Sequence, residues 1–322
     1  MKKNIAVVCG GYSGESVVSM RSAGMIMNNI DRAKYNPYKI VITRDRWYGE
    51  ADEQQLDVNR EDFTVMHGKE KIRFDGVFMI IHGTPGEDGI MQGYFELLGI
   101  PTTTGNTLCM ALTFNKKITT RVLSTMGMMT AKSIELRDLE PYSTSFITHS
   151  VGLPCFVKPN CGGSSIGASR VNKAEDLHVA IDKAFAEDDR VIIEEFIDGT
   201  EVTCGVITYK GEVTAMPITE IVSRKDFFDY EAKYHGASDE ITPARLEEKI
   251  YKRVQEYSQD IYRRLDCRGM IRVDYMVRGD EAFVIEVNTT PGFSEASIIP
   301  QQAAAMGIDK TELISTVIES CF

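Results

Sequence analysis

Residues 272–292 read RVDYMVRGDEAFVIEVNTTPG, two alternating runs either side of a turn at Gly279-Asp280. Arg272 and Asp274 lie two apart on the first run, Glu286 and Asn288 two apart on the second. Strand side chains alternate faces, so each pair points to one side. If the runs pair as a hairpin, an aspartate, a glutamate and an asparagine meet, with an arginine beside them. Three hard oxygen donors suit Mg²⁺, which completes its shell with water and phosphate. A hairpin with a merely charged outer face is the other reading. Against it, Asp274 and Glu286 sit among Ile271, Val273, Ile285 and Val287, where an unpaired carboxylate is costly. Gly292 closes the stretch and lets backbone approach a ligand.

The remaining chain is that of an ordinary globular protein. At 322 residues the expectation is two or three domains. A formal charge of −11 argues against nonspecific nucleic-acid binding, leaving only a local basic groove open. The opening MKKNIAVVCGG has an apolar run too short for a secretion signal, so it reads as a first strand. No run approaches the roughly 20 residues of a membrane span, and a cytoplasmic location without membrane partners is expected. The seven cysteines form no CxxC pair, so reduced thiols are expected.

Along the chain, 4–9 (NIAVVC), 38–43 and 74–81 (FDGVFMII) read as strands, the first followed by GGYSGESVVSM and a helix to about 29. Alternation of strand, glycine loop and helix predicts a parallel α/β unit. Residues 44–72 carry weak patterning, 107–126 read as one helix, and 139–150 (LEPYSTSFITHS) as a surface loop. Strands at 154–158 and 166–171 flank the loop NCGGSS, a helix covers 173–186, and VIIEEF begins a further strand at 191. A hairpin is expected around Lys210-Gly211 and a long helix over 244–265. The unpatterned stretch 223–243, carrying Phe227, Phe228, Tyr230 and Tyr234, suggests a lid.

Common nucleotide and hydrolase motifs are missing: there is no GxxxxGK[ST], no GxGxxG, no HExxH and no GxSxG. Instead, Lys158 roots the loop Lys158–Gly167, whose glycines and serines can close over phosphates with backbone N–H groups. A flexible hairpin tip is the competing reading. In VIIEEFIDGTE (191–201), Glu194 is suited to accept from an adenine amino group and Glu201 from ribose, or both belong to a solvated acidic edge.

In this order the pieces resemble the ATP-grasp superfamily, and within it the D-alanine–D-alanine ligase family. The motifs carrying the resemblance are GGYSGESVVS (10–19), IHGTPGEDG (81–89), FNK (114–116), VKPNCGGSSIG (157–167), IEEFIDGTE (193–201), FFDYEAKY (227–234), IRVDY (271–275) and IEVNTTPG ending at 292. The resemblance implies a three-domain α/β ATP-grasp fold with a Rossmann-like N-terminal domain, cut at about 1–101, 102–188 and 189–322. It implies ATP-dependent ligation of two D-alanine molecules through a D-alanyl phosphate, for peptidoglycan precursors, by a homodimer. Lys116, Lys158 and Lys233 would hold phosphates, the loop at Ser165 would cover them, and Glu194, Glu195 and Ile197 would hold adenine with Glu201 on ribose. Asp274, Glu286 and Asn288 would ligate two Mg²⁺ ions, with Mn²⁺ an alternative. Glu15 would pair with the first ammonium, in a network with Ser164 and Tyr234; a helix-start carboxylate is its plainer role. Arg272 and the Gly292 amide would form the oxyanion site, Ser297 would receive the second carboxylate, and His82 would line the first-substrate pocket or serve structurally.

Two departures from the common family pattern stand out. The loop reads NCGGSS where many members carry an acidic residue before Gly163, and Glu195 replaces a frequent lysine. The rivals are a D-alanine–D-lactate ligase, against which Tyr234 argues because depsipeptide-forming relatives carry phenylalanine there, and a noncatalytic ATP-binding regulator. The latter should lack at least one of Arg272, Asp274, Glu286 and Asn288, and all four are present.

Overall fold

The computed structural model describes residues 2–51, 54–223 and 238–322. It is a mixed α/β structure built on three sheets. In the first, Lys3–Gly10 lies between Tyr35–Ile42 and Gly76–Met79, parallel to both. Ile5 to Cys9 are wholly buried, as expected of a strand covered on both faces. Helix Ser16–Asn29 makes the crossover to Tyr35–Ile42. Residues 44–72 depart from expectation: they form an antiparallel meander of Trp47–Ala51, Gln54–Asn59, Thr64–His67 and Glu70–Ile72, which extends the sheet. Few apolar residues of that meander, such as Val58 and Val65, are buried, so its hydrophobic period is thin. Gly10 and Gly11 end the first strand at φ 96 and 104°, and a Cβ on Gly10 would lie 2.5 Å from the Ile42 carbonyl oxygen.

The second sheet is antiparallel, in the order Ser169–Val171, Cys155–Pro159, Arg190–Glu195, Ser133–Arg137. Alternation buries Cys155, Val157, Val191 and Ile193 against helices Thr144–Val151 and Leu177–Phe185. It leaves Phe156 and Lys158 on the other face, lining a cleft. Arg190–Glu195 lies inside this sheet, so a boundary at 188 cuts through it. Helix Thr144–Val151 corrects the loop expected over 139–150: Ser143 caps it by accepting from the Phe146 amide, and Ile147 and Val151 supply the buried side.

The third sheet runs Ser238–Ile241, Thr219–Ser223, Thr200–Tyr209, Met270–Arg278, Glu281–Asn288, Met129–Thr130, with Glu212–Ala215 paired to Thr200–Tyr209. Val273 and Tyr275 face helix Glu248–Arg264, where Tyr275 meets Ser258 at 2.7 Å. Arg272, Asp274 and Met276 therefore face the cleft. The helix expected over 107–126 is two, Thr107–Phe114 and Lys116–Thr125. Asn115 breaks it in extended conformation, and its side chain accepts from the Ile118 amide. The break puts Lys116 at a helix start, its amide on the Asn160 carbonyl.

Candidate active site

The hairpin register pairs Arg272 with Asn288 and Asp274 with Glu286, so the expected meeting of these four side chains is observed. Both Asp274 oxygens are engaged: Oδ1 accepts from Arg272 Nε (2.8 Å) and Oδ2 from Arg272 Nη2 (2.7 Å) and Asn288 Nδ2 (3.1 Å). Lys116 Nζ lies 3.5 Å from Glu286 Oε2. Asn288 Nδ2 also points at Glu286 Oε1 (3.5 Å), so the two carboxylates and the Asn288 amide would form a hard-oxygen set of the kind a divalent ion takes once that amide turns its oxygen inward. Cationic side chains balance the carboxylates in this conformation.

Two adjoining cavities meet at this hairpin. The larger, ≈ 470 Å³, opens between the second and third sheets and reaches Lys158, Ser165, Glu194, Ile197 and Glu201, as well as Glu195. The smaller, ≈ 100 Å³, reaches Glu15, His82, Arg272 and Gly292. Lys116, Gly162, Gly163, Ser164 and Glu286 line both. In the larger cavity Lys158 Nζ sits 2.6 Å from Glu194 Oε2. Burial alone would lower the Lys158 pKa, but Glu194 and then Glu286 outweigh it and the net shift is upward. The Glu195 carboxylate caps the Lys132 amide at 2.8 Å, and its own amide is committed to the Lys132 carbonyl.

The glycine loop reaches the first sheet. Ser164 and Ser165 have φ of 54 and 58°, the left-handed region. Ser164 Oγ donates to Glu15 Oε1 at 2.5 Å. Glu15 precedes helix Ser16–Asn29 without capping it through its side chain, so the carboxylate turns into the small cavity instead. A Cβ on Gly163 would lie 2.8 Å from Glu15 Oε1, so a larger residue there would push the carboxylate from its present position.

His82 is buried, with Nδ1 donating to the Thr290 carbonyl at 2.8 Å and Nε2 3.4 Å from Ser22 Oγ. Burial lowers its pKa, partly opposed by Glu15. Ser297 does not line the small cavity but lies behind Gly292: a Cβ on Gly292 would be 3.1 Å from Ser297 Oγ. That oxygen accepts from the Ser294 amide at 2.8 Å. The expected roles of Lys233 and Tyr234, and most of the 223–243 stretch, fall outside the described residues.

Glu87 was not singled out by sequence reasoning, although it lies inside the quoted IHGTPGEDG. Its carboxylate accepts from the Gly83 amide (2.7 Å) and the Thr290 amide (3.2 Å), bridging the first sheet to the TTPG turn. Burial, then Glu15, pushes its pKa up to about 8. Thr203 was also missed; its hydroxyl donates to Asp274 Oδ1 at 2.5 Å. A threonine within an alternating strand has no local mark of such a role.

Solved ATP-grasp ligases share this α/β architecture. The D-Ala:D-Ser ligase VanG from Enterococcus faecalis matches with a TM-score of 0.88 and 33% identity over 100% of both chains. The D-alanine–D-alanine ligase from Bacillus anthracis complexed with ATP matches with a TM-score of 0.81 and 30% identity, covering 99% of this chain and 97% of that one. Among curated sequences, the D-alanine–D-alanine ligase of Flavobacterium johnsoniae is 47% identical over 98% of each chain. That of Bacteroides fragilis is 44% identical over 100% of each. Family profiles described as D-ala D-ala ligase N-terminus and C-terminus match residues 4–105 and 122–319. The chain belongs to the D-alanine–D-alanine ligase family.

Proposed function

We propose that the two adjoining cavities divide one reaction between them, with ATP in the larger and D-alanine in the smaller. The enzyme is an ATP-dependent ligase that joins two D-alanine molecules for peptidoglycan precursor synthesis. The carboxylate of the first D-alanine attacks the γ-phosphorus and ADP departs, leaving a D-alanyl phosphate. The amine of the second, having lost a proton, attacks the acyl carbon, and the tetrahedral intermediate expels phosphate. The observation that carries this reading is the shared wall: Lys116, the Gly162–Ser164 loop and Glu286 border both cavities, where a phosphoryl group must cross.

Such transfer depends on positioning and on neutralising charge. Lys116 and Lys158 hold phosphate oxygens, and Ser165 lies on the loop over them. Glu194 and the backbone near Glu195 and Ile197 receive adenine, and Glu201 receives ribose. Glu15, fixed by Ser164, takes the first ammonium beside His82. Arg272 and the Gly292 amide face the developing oxyanion. Ser297 receives the second carboxylate through its hydroxyl hydrogen, while its oxygen goes on accepting from the Ser294 amide. Asp274, Glu286 and Asn288 would hold two Mg²⁺ ions, or Mn²⁺, which offset phosphate charge. Three domains are proposed, the middle one extended to include Arg190–Glu195, with a Rossmann-like first domain, in a cytoplasmic homodimer without nucleic-acid partners.

A coupled assay of phosphate release with ATP and D-alanine, D-lactate, D-serine or L-alanine tests this, with products resolved by mass spectrometry. D-Alanyl-D-alanine formed with one ADP per dipeptide is expected. ATP turnover without dipeptide, or no turnover, would sink the assignment.

A further inference from the structure

Asp274 has more partners than a metal ligand can keep. Oδ1 takes hydrogen bonds from Arg272 Nε and Thr203 Oγ1, and Oδ2 from Arg272 Nη2 and Asn288 Nδ2. Each carboxylate oxygen accepts about two hydrogen bonds, so an ion enters only by displacing a donor. Arg272 is long, charged and only partly buried, and a cation beside a divalent ion is repelled. Asn288 can rotate its amide and offer oxygen in place of nitrogen. The Thr203 hydroxyl has one other acceptor, the Val273 carbonyl at 3.4 Å, a much longer contact than the 2.5 Å to Asp274 Oδ1. Thr203 is 2% exposed, and its β-branched side chain is restricted at χ1.

Its backbone is held as firmly as its side chain. Thr203 pairs with Asp274 on one side and Thr219 on the other. The buried Gln302 side chain donates to the Thr203 carbonyl and to Thr219 Oγ1, both at 3.0 Å, and accepts from the Gly205 amide at 2.9 Å. Gly205 sits opposite Arg272, where a Cβ would meet Gln302 Oε1 at 2.5 Å. Gln302 therefore pins the strand at the two positions facing Arg272 and Asp274.

We propose that Thr203 is a positioning residue for the divalent-ion site, its hydroxyl holding Asp274 Oδ1 so that Oδ2 stays aimed at the ion when Arg272 withdraws. This rests on the metal role proposed for Asp274. Partners behind a metal ligand set its orientation, and their loss costs about 10–100-fold in affinity.

The test measures Mn²⁺ binding by electron paramagnetic resonance in the presence of a non-hydrolysable ATP analogue, a readout independent of turnover. Thr203→Val keeps the shape and removes the hydroxyl, and is expected to raise the Mn²⁺ Kd about 10–100-fold. Thr203→Ser keeps the hydroxyl and is expected within about threefold of wild type on the same scale. Thermal unfolding without metal checks that each variant is folded, and Thr203→Ala supplies a second hydroxyl deletion should the valine variant fail. Wild-type Mn²⁺ affinity in a folded valine or alanine variant overturns the proposal, as does a serine variant as weak as the valine. Asp274→Asn separates the two levels. If it binds Mn²⁺ normally, the metal reading beneath is wrong. If it binds weakly while Thr203→Val does not, only the tether is wrong.

Discussion

Ser164 Oγ and Glu15 Oε1 stand 2.5 Å apart across a sequence separation of 149 residues. This contact joins the glycine loop of the second sheet to the start of the first helix, and both residues line the smaller cavity. Hydrogen bonds to charged groups contribute about 1.5–3 kcal/mol. Ser164→Ala is therefore expected to cut kcat/KM for D-alanine by about 10–100-fold. In a cycle with Glu15→Gln the two losses should be strongly non-additive; independent, additive losses would show that the contact does not organise the site.

Glu286 faces Asp274 across the hairpin and Lys116 across the cavity. Glu286→Gln removes a charge that would offset phosphate and ion, and should lower kcat on the order of 100-fold or more. Rates within a few-fold of wild type at saturating Mg²⁺ would rule out its metal role.

Lys158 and Glu194 form a pair shielded from solvent at 2.6 Å. Lys158→Met strands the glutamate, an uncompensated charge costing about 3–5 kcal/mol. The variant should show a depressed Tm and a higher KM for ATP. Restored Tm in Lys158→Met with Glu194→Gln would trace the stability loss to the orphaned charge, whereas an unchanged Tm in the single variant would contradict it.

Glu87 carries a pH signature. Its folded pKa is pushed up to about 8 by burial and by Glu15, above its ordinary value of 4.5. The native state thus holds a proton that the unfolded chain has released, and stability contributed by Glu87 is complete below the ordinary value. It falls as pH rises, and is lost through about 8. Glu87→Gln cannot ionise, so the decline in Tm between these limits should flatten, at a lower Tm overall because one of two accepted amide bonds is lost. An unaltered slope would place the titration elsewhere.

Gly269, at φ +63°, is a packing test remote from the chemistry: a Cβ there would lie 1.9 Å from the Thr103 carbonyl oxygen. Gly269→Ala should destabilise by about 2–4 kcal/mol, through backbone clash and strain together. Urea unfolding with a loss under about 0.5 kcal/mol, the scale of ordinary surface substitutions, would contradict that clash.

The amino-acid sequence alone determined which side chains share a face. Two-residue spacing puts Arg272 with Asp274 and Glu286 with Asn288, but the register running from Arg278 opposite Glu281 would set Asp274 against Ile285, and it is a bulge between Asp274 and Tyr275 that brings Glu286 opposite Asp274. The same local rule sends Phe156 and Lys158 to the cleft while Cys155 and Val157 are buried. It was silent where hydrophobic contrast is weak, as in the 47–72 meander, and where a cap decides, as at Ser143 and Asn115. Contacts between distant segments belong to the tertiary structure. Glu87 on the Thr290 amide, Thr203 on Asp274 and Glu15 under Ser164 each join segments whose separation no periodicity encodes. A hydrogen bond depends on angstrom-scale placement of both partners, and for these pairs that placement is set by how three sheets pack, not by the few residues around either one.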